Sequence, residues 1–222
     1  MSVTPGTARD PAVATYAAER RISEVLHFTT NKGLLGIFAT GVVLSRDRLD
    51  VDKYLEHIYT PNCRDRLKDP DWTDYVSLSI SRVNGHMFDR SERWHATEDV
   101  WWAVLSFAPS ILSDPGVWFA TTNNAYQSTV RRGTGVKGLS DMFAKTVPWG
   151  HYGSVHVRAA NMPASSTTDP QAEVLYPRGV LIDHLRAIYV REPQHTDQVN
   201  SWFGIFPDVP RVPVEHKPEV FQ

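Results

Sequence analysis

Residues 101–107 (WWAVLSF) constrain the fold most, because six of their seven side chains are apolar. A strand without polar alternation has to be covered on both faces, so we predict that this segment lies at the centre of a sheet. Further strands are predicted at residues 75–80, 117–120, 171–176 and 187–190. Many short strands with few long helices indicate an α+β fold around a mostly antiparallel sheet.

Short helices are predicted where a helix-starting residue precedes apolar residues at helical spacing. Pro11 begins a predicted helix over residues 12–20, and residues 194–203 are predicted to form a closing helix. A polar segment follows residue 44, and within it Tyr54, Leu55 and Ile58 also have helical spacing. The helices therefore flank the sheet and do not form a bundle of their own.

The composition is that of a globular protein. The chain has 222 residues, of which 41% are hydrophobic and 22% charged. This fits a single domain over residues 1–222, with flexible tails at residues 1–10 and 210–222. The balance of 23 Lys and Arg against 25 Asp and Glu gives a net charge of −2. Any nucleic-acid contact therefore has to come from a local basic patch.

The location of the protein is predicted from what the sequence lacks. No segment is long and apolar enough to span a membrane, and the N-terminal residues show no secretory signal. Cys63 is the only cysteine, so no intramolecular disulfide can form. These features predict a cytoplasmic protein with no membrane partner.

The segment from His27 to Leu44 is predicted to be a strand, a helix and a second short strand. Asn31 begins the helix, and Gly41 ends it. A histidine at a strand end beside a helix start can hold a polar ligand together with backbone N–H groups. A histidine with a purely structural role explains the same local pattern, so both interpretations stay open.

Several common catalytic motifs are missing. The sequence contains neither a P-loop nor a G-x-S-x-G elbow. Gly133, Gly135 and Gly138 have G-x-G-x-x-G spacing, but no strand or βαβ pattern surrounds them, so residues 131–138 are predicted to be a flexible loop. The histidines lack H-E-x-x-H spacing, and the lone cysteine in a polar segment offers neither a zinc site nor a nucleophile with a defined partner.

Polar residues at the ends of predicted strands are the remaining site candidates. Arg66, Ser77, Ser79 and Glu173 are of this kind, in addition to His27. Glu173 stands out, because a carboxylate at the start of an apolar strand is costly unless it is exposed or lies in a cleft. A solvated edge position is the alternative for each of these side chains.

Taken in order, these segments resemble the DarT family of nucleic-acid ADP-ribosyltransferase toxins over residues 27–190. The resemblance rests on His27-Phe28-Thr29 with the helix after it, Asp65-Arg66, residues 76–88, residues 102–112, Asn123-Asn124-Ala125 and residues 171–175. Leu78-Ser79-Ile80-Ser81 with Asn84 and Met87-Phe88 is closer to the guanine-modifying branch than to the thymine-modifying branch, which usually carries a Pro-Phe-Tyr-type run there.

The resemblance implies a fold, a reaction and a set of site residues. The fold would be a split, mostly antiparallel β-sheet with short flanking helices. The enzyme would move ADP-ribose from NAD, used as a co-substrate without a metal, to a base of single-stranded DNA. Its catalytic residues would be Glu173 and Arg66, with Arg46 and Arg64 as competitors for the arginine. The NAD-binding residues would be His27, Thr29, Asn31, Leu35, Gly36, Arg66 and Ser79.

The acceptor strand and a protein partner complete the expectation. Gln171 and the loop over residues 159–169 would present the base. Arg131, Arg132 and Lys137 would follow phosphates, and Trp149, His151 and Tyr152 would stack on unpaired bases. A cognate antitoxin, such as a macrodomain-type hydrolase, would hold the toxin in check. A core role for the tryptophans, RNA as the acceptor, and a relative that binds NAD or nucleic acid without catalysis are the alternatives.

Overall fold

The computed structural model describes residues 8–51, 70–150 and 152–222. Its strands are β1 (Val25–Thr30), β2 (Val42–Leu44), β3 (Tyr75–Ile80), β4 (Trp102–Phe107), β5 (Trp118–Ala120), β6 (Arg132–Thr134), β7 (Thr146–Pro148), β8 (Val155–Val157), β9 (Glu173–Pro177), β10 (Gly179–Leu181), β11 (Leu185–Val190) and β12 (Val214–His216). Its α-helices are α1 (Pro11–Glu19), α2 (Asn31–Thr40), α3 (Arg46–Val51), α4 (Gly85–Trp94), α5 (Gly135–Asp141) and α6 (Pro193–Ile205). Short 3-10 helices cover Pro70–Trp72, Pro109–Ser113, Ile182–His184 and Pro218–Phe221.

An eight-stranded sheet organises the chain, in the order β12-β11-β4-β1-β3-β9-β5-β6. Neighbouring strands in it are antiparallel, except that β12 runs parallel to β11. β2 with β10 and β7 with β8 form separate two-stranded sheets. The predicted α+β class with a mostly antiparallel sheet is confirmed.

The central position of β4 follows from its sequence. Every residue of β4 is buried, and the strand pairs with β1 on one side and β11 on the other. Apolar residues cover both of its faces, including Leu105 in the larger core cluster and Val104 in a smaller one. Complete burial of such a side chain contributes about 1.5–3 kcal/mol.

β1 and β3 are fully paired only at one end. Their register contains Val25 with Ile80 and Leu26 with Ser79, and no further pairs. On its other edge, β1 pairs with β4 along all six of its residues. The sheet is therefore split between β1 and β3, and the far end of β1 borders a cleft.

The helix after β1 begins and ends at the predicted residues. Thr30 caps its N-terminus, since the Thr30 side-chain oxygen accepts a hydrogen bond of 3.1 Å from Gly33 N. Gly41 ends the helix in the left-handed region, with φ of 72°. Leu34, Ile37 and Phe38 point into the larger core cluster. This packing fixes α2 against the end of β1 that borders the cleft.

The predicted flexible loop over residues 131–138 is wrong. The segment forms β6, which pairs with β5 in antiparallel register, and then enters α5. Gly133 and Gly138 lie back to back, since a Cβ on Gly138 would overlap the Gly133 carbonyl group. The glycine spacing therefore reflects a close backbone approach. The antiparallel pairing agrees with the rejection of a Rossmann turn.

The predicted C-terminal tail is also wrong. Val214–His216 forms β12 on the sheet edge, and Phe221 is buried in contact with the Phe88 ring. A three-residue strand between prolines is too short to show alternation, so the sequence pattern could not reveal it. At the other end, Asp10 caps α1 and Arg9 forms an ion pair of 2.7 Å with Asp114.

Some predictions concern residues outside the described ranges. Residues 1–7, the helical spacing at residues 54–58, and Cys63 are of this kind. None of the described helices is long and apolar enough to cross a membrane. The single-domain assignment over residues 1–222 stays a prediction.

The contact between Gly133 and Gly138 can be tested by substituting Gly138 and, for comparison, a second helical glycine, Gly204. Gly138→Ala should lower the free energy of unfolding by about 1–3 kcal/mol, because backbone atoms would have to move. Gly204→Ala meets no atom within 4 Å, so it should be neutral or stabilise by up to ~1 kcal/mol. Urea unfolding followed by tryptophan fluorescence measures both. Equal unfolding curves for the two variants would contradict the assignment.

Candidate active site

The first residue of β9 is a buried acid beside the split in the sheet. Glu173 is 7% exposed. The Ser77 hydroxyl donates a hydrogen bond of 2.6 Å to Glu173 Oε2, and the Asn124 backbone N–H donates one of 3.3 Å to Oε1. Burying a carboxylate is costly unless it is hydrogen-bonded, and a buried acid beside a split in a sheet is a candidate for a functional residue.

The turn before β9 sets the direction in which Glu173 enters the sheet. Asp169 is fully buried, and its Oδ1 accepts a hydrogen bond of 2.7 Å from Gln171 N. Aspartate commonly bonds its own backbone two residues on, which makes such a turn. β9 then pairs with β3 on one side and β5 on the other. Glu173 is thus fixed by backbone pairing as well as by its own hydrogen bonds.

His27 reaches across the split to the same serine. Its Nδ1 lies 3.1 Å from the Ser77 carbonyl oxygen. Because a carbonyl oxygen only accepts, Nδ1 carries the proton in this contact, and a neutral ring with that tautomer presents Nε2 as its acceptor atom. Ser77 therefore connects the two sides of the cleft, through its carbonyl to His27 and through its hydroxyl to Glu173.

The other residues predicted to bind NAD lie along α2 and the end of β1. Thr29 is 4% exposed, and its hydroxyl packs so closely on Gly33 that a Cβ there would overlap it. Asn31 N donates to the Trp101 carbonyl at 2.8 Å, and Trp101 N donates to Asn31 Oδ1 at 3.4 Å. The Asn31 side chain therefore anchors the helix start to the residue before β4.

Leu35 and Gly36 lie in the middle of α2. Leu35 is half-buried and packs against the larger core cluster, and Gly36 is buried. Both residues therefore lie in the packed part of α2, one turn beyond the cap at Thr30.

Two serines of β3 were site candidates, and only one of them is bonded to Glu173. Ser77 makes that contact, whereas Ser79 is half-buried and paired with Leu26 in the sheet. Both residues face the same side of β3, because side chains alternate along a strand. The family resemblance implies NAD binding for Ser79 and no role for Ser77, so the contact of Ser77 to Glu173 was not predicted.

Gln171 and the loop over residues 159–169 lie next to Glu173. Gln171 is 6% exposed, and its Oε1 has no hydrogen-bond partner among the described residues. The loop is shaped by Arg158, whose guanidinium donates to the carbonyls of Ser166 at 2.6 Å and Pro163 at 2.7 Å. The same guanidinium lies 5.6 Å from the centre of the Phe143 ring. Both this aromatic contact and the two carbonyl bonds tie the loop to the body of the protein.

The residues predicted to contact nucleic acid differ in their surroundings. Arg131 is exposed. Lys137 is exposed too and pairs with Asp141 at 2.7 Å, one turn along α5. Arg132 instead donates to the side-chain and main-chain oxygens of Asn124. Arg132 is therefore already engaged within the protein.

The aromatic residues near β7 and β8 are also placed differently from one another. Trp149 is half-buried and stacks on His156, with ring centres 4.6 Å apart. Tyr152 is fully exposed at the tip between the two strands. His151 lies outside the described residues. One ring face of Trp149 is thus covered by the protein.

The arginine of the predicted catalytic pair lies outside the described residues, since Arg66 and its competitor Arg64 fall between residues 51 and 70. Arg46 is described at the start of α3, and its Nη1 is buried without a hydrogen-bond partner among the described residues.

Tyr176 is a second titratable group on β9. Burial, and then a hydrogen bond of 2.8 Å from its hydroxyl to Asp114, raise the pKa of Tyr176 well above its usual value. The phenol is thus neutral at physiological pH.

No group of three or more His, Cys, Asp or Glu among the described residues could hold a metal ion.

Asn124 has no role that the sequence predicts beyond its place in the segment Asn123-Asn124-Ala125. Its contact to Glu173 uses a backbone N–H. Asn123 Oδ1 accepts a hydrogen bond of 2.9 Å from Ala125 N, which is the turn that asparagine pairs favour. The asparagine pair signals the turn, whereas its closeness to Glu173 depends on the sheet.

The split, mostly antiparallel sheet that the family resemblance implied is present, with Glu173 buried beside the split. The family model described as "ssDNA thymidine ADP-ribosyltransferase, DarT" matches residues 26–222. The chain therefore belongs to the DarT family. No curated protein sequence matches it significantly.

Solved structures of the family share the fold at low sequence identity. Thermus sp. 2.9 DarT in complex with carba-NAD+ is 16% identical, with a TM-score of 0.63 over 90% of this chain and 98% of that one. The Thermus protein in complex with ADP-ribosylated ssDNA is also 16% identical, with a TM-score of 0.63 over 91% and 97% of the two chains. Thermosipho africanus DarTG in complex with ADP-ribose is 13% identical, with a TM-score of 0.61 over 90% of this chain and 51% of that one.

The hydrogen bond from Ser77 to Glu173 can be tested by stability. Ser77→Ala should lower the free energy of unfolding by about 1–3 kcal/mol, because a buried carboxylate oxygen loses a donor. Ser79→Ala, a change of the same size on the same strand face, should shift it by no more than ~0.5 kcal/mol. Urea unfolding at neutral pH measures both variants. Equal losses would mean that Ser77 contributes only as a strand residue.

Proposed function

We propose that this protein transfers ADP-ribose from NAD to a base of single-stranded DNA and releases nicotinamide. The observation that carries the proposal is Glu173, buried at the split between β1 and β3 and hydrogen-bonded by Ser77 and Asn124. Membership of the DarT family supports the reaction class. The Thermus sp. 2.9 DarT structures, one with NAD+ and one with ADP-ribosylated ssDNA, support NAD as the donor and DNA as the acceptor.

The chemistry suits a carboxylate fixed at a cleft. The bond between ribose C1′ and the nicotinamide nitrogen breaks, and nicotinamide leaves with the electron pair. Positive charge develops on the ribose as it does in glycoside cleavage, and Glu173 stabilises that charge. A nitrogen of the base then bonds to C1′ and loses a proton, which the Glu173 carboxylate accepts.

His27 and the arginine would hold two different parts of NAD, a ribose and the diphosphate. An acceptor Nε2 on His27 suits a ribose hydroxyl, and Thr29 lies two residues further on the same strand. Arg66 would bind the diphosphate, because a guanidinium fork matches phosphate oxygens. Asn31, Leu35, Gly36 and Ser79 stay assigned to the walls of the NAD pocket. NAD is consumed as a substrate, and no metal takes part.

The acceptor base would enter beside the loop over residues 159–169, next to Gln171. Unpaired strands are favoured over duplex, because a base nitrogen has to leave the stack to reach a ribose bound in the cleft. The exposed side chains of Arg131, Lys137 and Tyr152, with Trp149 and His151 nearby, provide charge and rings for a single strand.

Guanine is the first proposed acceptor, and thymine the second. Residues 78–88 support guanine, because they lack the Pro-Phe-Tyr-type run usual in the thymine-modifying branch. The description of the matching family model, which names thymidine, supports the alternative. We expect the protein to act as a cytoplasmic toxin restrained by a macrodomain-type antitoxin, in line with the paired name DarTG of the Thermosipho relative.

Glu173 provides the first test of the reaction. Glu173→Gln should lower the rate of label transfer from NAD to single-stranded DNA by at least about 100-fold, because the amide cannot carry the negative charge. Glu19→Gln, at an exposed position of α1, is the matched control and should retain wild-type activity. Circular dichroism verifies folding. Absence of transfer by folded wild type would contradict the proposed function, and full activity of Glu173→Gln would point to a different catalytic residue.

The base is identified by mass spectrometry of the product. Two single-stranded oligonucleotides are made of adenine and cytosine except at one position, which is guanine in one and thymine in the other. Each is incubated with NAD and the enzyme. Modification of the guanine strand alone supports guanine, and modification of the thymine strand alone overturns it. The same sequences as RNA, in competition with DNA, separate the RNA-directed alternative.

The role of His27 is tested by NAD binding. His27→Ala should weaken NAD binding about tenfold, which corresponds to ~1.4 kcal/mol, while the fold is retained. His86→Ala, an exposed histidine of α4, should bind NAD as the wild type does. Calorimetric titration with NAD in the absence of DNA gives both affinities. Unchanged affinity of His27→Ala would assign His27 to a structural role between β1 and β3.

A further inference from the structure

The contacts of the Arg132 guanidinium differ from those expected of a residue that binds DNA phosphates. Its Nε donates to Asn124 Oδ1, and its Nη2 donates to the Asn124 backbone oxygen at 2.7 Å. The guanidinium also lies 5.3 Å from the centre of the Trp72 ring. Two of its three nitrogen atoms are therefore used on a single residue, and that residue is the one whose N–H donates to Glu173.

The sheet register places Arg132 and Glu173 on the same side. Ala120 of β5 pairs with Glu173 on one edge and with Arg132 on the other. Directly paired residues of antiparallel strands point to the same face, and neighbouring strands are about 4.8 Å apart. The α-carbons of Arg132 and Glu173 are thus separated by roughly 10 Å. Between them lies Ala120, which is fully buried and has only a methyl side chain.

The contact to Asn124 is a fork. The guanidinium holds the side-chain oxygen and the backbone oxygen of Asn124 together, which fixes both its rotamer and the peptide after it. Such charge-assisted, two-point contacts are stronger and more directional than a single neutral hydrogen bond. The Asn124 N–H, on the preceding peptide, is thereby aimed at Glu173 Oε1.

We propose that Arg132 is a positioning residue, which acts through Asn124 to hold the Glu173 carboxylate in its reactive orientation. The inference rests on the proposed function, because it assigns a role in the same transfer reaction. A catalytic group has to be held within about 0.5 Å and 10–20° of its productive geometry, and a displacement of about 1 Å can lower the rate 100-fold. Arg132 therefore contributes to turnover, whereas Arg131 beside it contributes to DNA binding.

Positioning of Glu173 predicts an effect of Arg132 substitution on kcat, whereas binding of a DNA phosphate predicts an effect on the KM for DNA. Arg132→Ala should lower kcat about 10-fold to 100-fold for transfer to DNA, with the KM for NAD and for DNA within about twofold of wild type. Arg132→Lys should recover only part of kcat, since an ammonium group cannot make the fork. Arg186→Ala, an exposed strand arginine on β11, is the matched control. Nicotinamide release without DNA is measured in parallel and should fall with kcat.

Salt dependence separates positioning from phosphate binding. If Arg132 bound a phosphate, Arg132→Ala would weaken DNA binding and reduce the slope of log affinity against log salt by about 0.7 for a single strand. A positioning residue leaves that slope as it is in the wild type. A raised KM for DNA with a reduced slope and an unchanged kcat would overturn the inference.

Asn124 provides the second variant, because Asn124→Ala removes Oδ1 and keeps the N–H. If Arg132 acts through Asn124, the variant that combines Arg132→Ala with Asn124→Ala should lose no more activity than Arg132→Ala alone. Multiplied losses in kcat would overturn the route through Asn124. Wild type without transfer activity would contradict the proposed function itself, whereas an active wild type with a fully active Arg132→Ala contradicts only this inference.

Discussion

The site depends on the point at which β1 and β3 stop pairing. Two residue pairs hold these strands together at one end, and beyond them the sheet opens. His27 and Ser77 lie on the two sides of that opening and remain joined by a side-chain hydrogen bond of 3.1 Å. Beyond these two pairs the ladder between β1 and β3 ends, which leaves a cleft within the body of the sheet. A continuous sheet would have left Glu173 in a packed interior without access to a ligand.

A buried carboxylate costs stability, and the chain offsets that cost with donors from separate elements. Ser77 comes from β3, and the Asn124 N–H comes from the turn after β5. Arg132 on the edge strand β6 donates two hydrogen bonds to Asn124. Each of these residues is distant from Glu173 in sequence, so the geometry around Glu173 depends on the register of β3, β9, β5 and β6. The edge of the sheet thus supports the hydrogen bonds of the candidate site at its split.

Prediction from the sequence succeeded where local physics decides the structure. The apolar run of β4, the start of α2 at Asn31 and its end at Gly41 all depend on neighbouring residues. It failed for β6, because the glycines that allow a close backbone contact there are also typical of a loop. It also failed for β12, a short strand that forms because β11 offers it an edge. In both cases the partner that orders the segment is remote in the chain.

The sequence by itself determined the class of fold and the family resemblance, and through that resemblance it nominated Glu173 and His27 as candidate site residues. Only the tertiary structure decided that Ser77, and not Ser79, contacts Glu173, and that Arg132 is bound to Asn124. The reason is physical: alternation assigns both serines to one face, and Ser77, whose direct partner on β9 is Leu175, reaches the carboxylate as a diagonal neighbour at 2.6 Å, a contact that depends on the side-chain positions in the folded sheet. Likewise, charge alone makes Arg131 and Arg132 equivalent, whereas in the structure Arg132 is hydrogen-bonded to Asn124 and Arg131 is exposed.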